Sequence, residues 1–334
     1  MFENTKKLIV NMYRDNIVPG ISYAIINDHK VYSSYIGYSQ LVPKKVRLKF
    51  GQLYDLASLT KVIGTTTLVL KLIREGKLKL YEPICNKLPF FKDNKVTIFH
   101  LLTHTSGISG YIPNRNQLSA KELKKALLNL PISDSFEKRV IYTDIGFLYI
   151  GWIIENLLHK PIQKLIFKDV LVPLGMNNTT FQPSKYISVP TEITNKRGLI
   201  KGVVHDPKAY ILKQNCASAG MFSNINDIIR FVQWYLGNLK IDNSPLKQWQ
   251  IKSLFKDWTP NKLNRSLGWD IKYSPYDKHV LLYHTGFTGT FLIIDRLKKT
   301  GLIVLTNRIH PTSKNKIFLY KRDKIIQMFL LDNK

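Results

Sequence analysis

The chain has 334 residues, 44% of them apolar, which is enough for a sizeable core in one large unit or two closely joined ones. Fifty Lys and Arg against 23 Asp and Glu give a formal net charge of +27. That charge lies in separate clusters (Lys44 to Lys49, Lys121 to Lys125, Arg296 to Lys299, Lys314 to Lys324) with no basic tail, zinc-finger spacing or RNA-binding signature. This argues against nucleic acid and leaves either a field that gathers anionic polymers or solvated basic faces.

In chain order, residues 3–15 pattern as an amphipathic helix, with Leu8/Met12 and Ile9/Tyr13 one turn apart. The apolar run after Lys6-Lys7 is only Leu8-Ile9-Val10, too short for an export signal. A cytoplasmic protein is therefore expected, or one at the cell surface if a leader has been removed. Pro19-Gly20 breaks the chain, and Ile21 to Ile26 and Lys30 to Tyr38 read as strands joined at Asn27-Asp28-His29. A basic loop over 39–57 leads to an apolar helix that runs from Ser58 to Ile73 and fades at Gly76. From about 76 to 200 the pattern is helices and loops. A short helix is expected from Val96 to Gly107, with His100 and His104 one turn apart. That spacing can hold a metal but has no evident third ligand, so a structural pair and no metal are expected. Further helices are expected over Lys121 to Leu130, Gly146 to His159 with Asp144 as cap, and Pro161 to Leu171. Cys85 and Cys216 make no disulfide framework, and Cys216, among small residues, is expected to be buried.

The last third changes period. After a helix over Ile225 to Leu236 come short β-branched or aromatic runs at Leu267 to Tyr273, Val280 to His284, Thr290 to Asp295 and Leu302 to Asn307. A terminal helix over 314–331 puts Phe318, Ile325 and Phe329 on one face, which packs on the sheet or, given the Lys and Arg around it, seats on a membrane surface. No stretch approaches the ~18 apolar residues of a membrane span. The expected class is α+β: an antiparallel sheet from both chain ends, flanked by terminal helices, with a mainly helical insertion. The sheet part would be about 1–60 and 215–334 and the helical part about 61–214, together one catalytic unit.

Three sites carry chemistry. Ser58 and Lys61, three apart at a helix start, can meet on one face, with the helix N–H groups beside the hydroxyl. Tyr142-Thr143-Asp144 precedes an apolar helix, where a phenol can face a cleft. His284-Thr285-Gly286-Phe287-Thr288-Gly289 joins two strands, and its small residues let a ligand lie along the strand edge.

As an ordered set, Ser58-Leu59-Thr60-Lys61, Tyr142-Thr143-Asp144 and His284-Thr285-Gly286 resemble the serine β-lactamase and penicillin-binding-protein superfamily, in the branch of class C β-lactamases, D-stereospecific peptidases and esterases. Supporting stretches are Pro19-Gly20-Ile21-Ser22, Leu101 to Gly107, Val204-His205-Asp206 and Ala219 to Ser223. The resemblance spans about residues 4–330 and implies a β-lactamase/transpeptidase-like fold and acyl transfer through a serine ester, with no cofactor. It makes Ser58 the nucleophile, Lys61 and Tyr142 the coupled proton-transfer pair, and the Ser58 and Phe287 N–H groups the oxyanion hole. His284 would act beside the substrate carboxylate, and Asp144, Thr285, Gly286 and Thr288 would bind substrate. For Lys61 to accept a proton, its pKa must fall from ~10.4 toward ~7, which burial and nearby positive charge would supply. Two departures weigh against an efficient β-lactamase. Asp144 stands where class C enzymes have an amide that can donate a hydrogen bond, and His284 replaces a permanently charged Lys with a pH-dependent partner. The expected activity is hydrolysis of a small ester or amide, or release of a D-amino acid. The alternatives are a penicillin-binding protein that is acylated by a β-lactam with little turnover, a weak β-lactamase, and a non-catalytic basic protein that binds a cell-wall polymer.

Overall fold

The computed structural model describes residues 2–334. Helix α1 (Glu3–Arg14) is followed by β1 (Gly20–Asn27) and β2 (Lys30–Gln40), turning at Asp28-His29 as the polar spacing requires. The basic loop beyond is not featureless, for it holds β3 (Val46–Arg47) and β4 (Tyr54–Asp55). The last third supplies β8 (Asp270–Tyr273), β9 (Val280–Thr285), β10 (Phe291–Asp295) and β11 (Thr300–Thr306). All of these except β4 form one seven-stranded sheet in the order β3-β2-β1-β11-β10-β9-β8, every pair antiparallel. The two chain ends meet at its centre, where Tyr23 of β1 lies opposite Val304 of β11. β8 begins three residues later than the apolar run suggests, because Ser266 N–H closes a turn onto Trp269 O and Gly268, at φ 80°, donates to Leu102 O.

Both sheet faces are covered, and the period of two sorts the side chains between them. Ile21, Tyr23 and Ile25 of β1, with Phe291, Ile293, Leu302 and Val304, face α1 and the last helix, α11 (Ile317–Asp332). Phe318, Ile325 and Phe329 of α11 are buried there, and Phe2 stacks on Phe329 at 5.1 Å, so this face packs on the sheet and not on a membrane. Ala24, Ile26, Leu292, Ile294, Ile303 and Leu305 face the larger core, where α9 (Ile225–Leu236) packs on β1, β10 and β11. No helix among the described residues is long and apolar enough to cross a membrane.

Between the two halves of the sheet lie the helices that frame the cleft. After Ser58 the chain makes a wide π-turn at Lys61–Thr66 and continues as α2 (Thr67–Arg74). Then come α3 (Ile98–Thr103), α4 (Ala120–Leu128), α5 (Ile145–Leu158) and α6 (Ile162–Ile166); a second π-turn, Phe167–Leu171, leads to the single turn α7 (Val172–Leu174). The two-residue strands β5 (Ile193–Thr194) and β6 (Gly198–Leu199) pair with each other, α8 (Pro207–Leu212) follows, β7 (Phe222–Ser223) pairs with β4, and the short helix α10 (Gln248–Ser253) lies between α9 and β8 in the chain. Helix α3 stops before the expected Gly107 because His104 takes the left-handed conformation, φ 58°. Asp144 occupies the N-cap position of α5 but its side chain makes no cap bond; Thr143 Oγ1 accepts the Ile145 N–H instead, at 3.1 Å.

Candidate active site

Ser58 sits on a sharp turn between β4 and the π-turn. The residue before it, Ala57, is held at φ 46°, a left-handed conformation that costs a side-chain-bearing residue energy and marks a position fixed by its surroundings. Those surroundings are visible: the Ala57 N–H donates to Asp55 Oδ1 at 2.9 Å, and the buried Asp55 also accepts the His205 N–H at 2.7 Å. The loop after β9 is docked on the same turn. Thr288 Oγ1 donates to Asp55 O at 2.6 Å and Thr290 Oγ1 to Leu56 O at 3.2 Å. Gly286 allows this approach, since a Cβ there would stand 2.5 Å from Leu56 O and 2.3 Å from Thr290 Oγ1. Thr288, expected to bind substrate, is 1% exposed and spent on Asp55, so it is a buttress of the turn.

Ser58, Tyr142, Thr285, Gly286 and Phe287 line one cleft of about 300 Å³. Among the described residues, neither the Ser58 N–H nor the Phe287 N–H donates to a protein acceptor, as an oxyanion hole requires. Phe287 itself is exposed, stacked on His205 at 5.5 Å with the Arg308 guanidinium 4.8 Å from its ring.

Lys61 is fully buried. Its Nζ donates to Ser58 Oγ at 2.7 Å and to Ser218 O at 3.1 Å, and lies 2.6 Å from Asp144 Oδ1. Three donors meet three acceptors, which is the pattern of an ammonium. Burial works against that charge, but the Asp144 carboxylate and the Tyr142 phenol outweigh it and hold the Lys61 pKa above its ordinary value. The expected depression of Lys61 is therefore not present in the free enzyme. The reason is the Asp144 carboxylate in contact, an anion brought from a distant segment that offsets burial and the positive neighbours. Asp144 is likewise not free for substrate: although burial raises its pKa, Lys61 and Lys208, whose Nζ is 2.9 Å from Asp144 Oδ2, drive it well below the usual carboxylate range.

His284 is not the switchable cation that its motif position suggests. It is 3% exposed, and burial followed by the charges of Lys61 and Arg265 depresses its pKa well below the ordinary value. It is neutral at physiological pH, with Nδ1 donating to Thr285 O at 3.0 Å. His104, on the other side of Tyr142, is neutral for the same reasons: burial first, then Arg265 and Lys61. The expected His100–His104 pair parts company. His100 Nδ1 accepts the Thr97 N–H, and its Nε2 meets Glu137 at 2.8 Å, whereas His104 lies against Tyr142 and Phe147. Cys216 is buried, which pushes its thiol up to about 11, and the stretch it begins supplies the Ser218 carbonyl to Lys61.

Three residues escaped the motif pattern. Arg308 and Arg322 line the cleft with Ser58, and Lys208 lies with Tyr142 and Asp144 in an adjoining recess of about 340 Å³. Lys208 lies two residues beyond Val204-His205-Asp206, the only sequence signal near it.

A sequence profile described as Beta-lactamase matches residues 6–323. An N-acetylmuramyl-L-alanine amidase of Bacillus subtilis is 26% identical, over 87% of this chain and 78% of its own. A Salmonella typhimurium protein provisionally named a D-alanyl-D-alanine carboxypeptidase is 26% identical, over 89% and 80%. A solved class C beta-lactamase superposes with a TM-score of 0.78 at 20% identity, covering 99% of this chain and 96% of its own, a likeness of fold.

Proposed function

The chain belongs to the beta-lactamase family, and on that premise we propose that it is a serine hydrolase releasing D-alanine or a related group from ester or amide linkages of cell-wall material, through an acyl-enzyme on Ser58. The observation that carries this reading is the 2.7 Å contact of Lys61 Nζ with Ser58 Oγ, beside two backbone N–H groups without protein acceptors. Ser58 Oγ attacks the carbonyl carbon and its proton passes to Nζ of a neutral Lys61. The tetrahedral oxyanion sits on the Ser58 and Phe287 N–H groups, and Tyr142 conveys the proton to the departing amine or alcohol. Water then cleaves the Ser58 ester, its proton returning to the same pair, and the acid leaves. Because Lys61 is an ammonium in the free enzyme, one proton must leave the cluster before acylation, and acylation slows on the acid side.

The class of substrate is supported by the names of the amidase and carboxypeptidase relatives and by the charge of the cleft. With His284 neutral, the anionic end of a substrate is assigned to Arg308 and Arg322, which line the cleft with Ser58. The +27 field suits an anionic polymer carrying D-alanyl esters. The test is intact-mass measurement after a fluorophosphonate and, separately, a penicillin. Wild type is expected to gain one adduct with the fluorophosphonate and Ser58→Ala none; a full shift in Ser58→Ala would place the nucleophile elsewhere. A persistent penicilloyl adduct would mark a penicillin-binding protein with little turnover.

A further inference from the structure

Lys208 reaches the site from α8, an element that none of the three motifs touches. Asp206 caps α8 by accepting the Ala209 N–H on Oδ1 at 2.8 Å, and its Oδ2 takes Lys208 Nζ at 3.2 Å. The same ammonium stands 2.9 Å from Asp144 Oδ2, while Asp144 Oδ1 faces Lys61 at 2.6 Å. One carboxylate at the entrance of α5 is thus divided between two buried ammonium groups, and one of these holds the nucleophile. The cap bond of α8 is made by Asp206 itself and does not require Lys208 to reach Asp144. The second contact links that lysine to the proton-transfer pair.

We propose that Lys208 is a positioning residue of acyl transfer: by occupying one oxygen of Asp144 it keeps that carboxylate from closing on Lys61 alone, and its charge favours loss of the proton that Lys61 must shed before it can accept one from Ser58. This rests on the reading of Ser58 and Lys61 given above. Other charged and titratable groups surround the pair. Tyr142, His104, His284 and Arg265 share the enclosure of Lys61, and Asp55 and His205 stand behind Asp206. The two enclosed histidines are neutral and the Arg265 guanidinium faces Asp270, 4.0 Å from its carboxylate, so among the described residues the cations in contact with Asp144 are Lys61 and Lys208.

The experiment is the rate of fluorophosphonate labelling of Ser58 against pH in wild type and in Lys208→Met, Lys208→Gln and Lys208→Arg. Met and Gln should move the acid limb upward by about one pH unit, seen as about tenfold slower labelling on that limb, whereas Arg, which keeps the charge, should leave it near wild type. Removing the carboxylate as well, in Asp144→Asn/Lys208→Met, should bring the limb back down from its position in Lys208→Met. Should the Met variant not fold, Gln keeps a donor toward both carboxylates and carries the same test. Acid limbs unmoved in the neutral variants, with wild type labelling normally, would reduce Lys208 to a partner of the α8 cap and overturn the proposal. No labelling of wild type is a different result, because it removes the Ser58 reading itself and the Lys208 role with it.

Discussion

At the scale of single residues, charge state decides which groups can act. Lys61 has the position of a general base and the protonation of an acid, because a carboxylate in contact outweighs the cost of burial. His284 has the reverse history: its motif position suggested a switchable cation, and burial beside Lys61 and Arg265 leaves it a neutral imidazole. A group whose pKa lies well below the ordinary value does not titrate between pH 6 and 7. The ratio of kcat/KM for an anionic ester to that for a matched uncharged ester is therefore expected to stay constant as pH rises through that window. A ratio that falls across it would restore a charge role to His284. The anion's partners are assigned to the arginines. Arg308 is engaged in donating to Phe287 O and Asn315 O, whereas Arg322 pairs with the exposed Asp323 and is the more available of the two. Arg322→Gln is expected to raise KM for the anionic ester about tenfold or more, the worth of a charge-assisted hydrogen bond, and to leave the uncharged ester within about twofold. Equal losses on both esters would mean that Arg322 serves packing and not recognition.

At the scale of elements, the cleft is a joint between two segments more than two hundred residues apart. The turn that carries Ser58 and the loop that follows β9 are tied by Thr288, Thr290 and the close approach at Gly286. The two N–H groups proposed as the oxyanion hole, of Ser58 and Phe287, come one from each segment, so their separation depends on this joint. Gly286→Ala tests it. The added methyl, 2.3 Å from Thr290 Oγ1 and 2.5 Å from Leu56 O, must push the loop off the turn. Losing one oxyanion donor costs about 10²–10³ in kcat, and a drop of that order is expected with the circular dichroism of the folded protein kept. Wild-type kcat in Gly286→Ala would show that the hole is not built from this joint.

For the molecule as a whole, the cleft is lined from the sheet, the inserted helical region and α11, with Arg308 and Arg322 in its wall and the Asp144–Lys208 recess adjoining it through Tyr142. A net charge of +27 surrounds it. Such a field concentrates a polyanion and speeds its encounter with the cleft, and salt screens it within about 10 Å at 0.1 M. Release of D-alanine from a D-alanylated anionic polymer is therefore expected to fall between about 20 mM and 500 mM salt, while turnover of a short uncharged ester stays flat. Brisk ester turnover with no D-alanine released at low salt would leave a general esterase whose charge is compositional.

What the amino-acid order determined by itself was local. The period of two in β1 and in β9 to β11, the breaks at Pro19-Gly20 and Gly76, and the one-turn spacing of Ser58 and Lys61 are short-range patterns, and they place the strands, the α+β class and the Ser58–Lys61 contact. The caps show where that reach ends: Asn224 caps α9 with its side chain at the expected boundary, whereas Asp144 leaves the cap of α5 for two lysines. The tertiary structure alone decided the charges. Asp144 meets Lys61 across 83 positions and Lys208 across 64, contacts that no local pattern encodes. Burial of His284, the spending of Thr288 on Asp55, and the entry of Arg308 and Arg322 into the cleft likewise depend on which segments the sheet brings together. The physical reason is that a side chain's type is written in the chain, while its protonation and its partners are set by the dielectric and the charges within a few ångströms, and these arrive from elsewhere in the sequence.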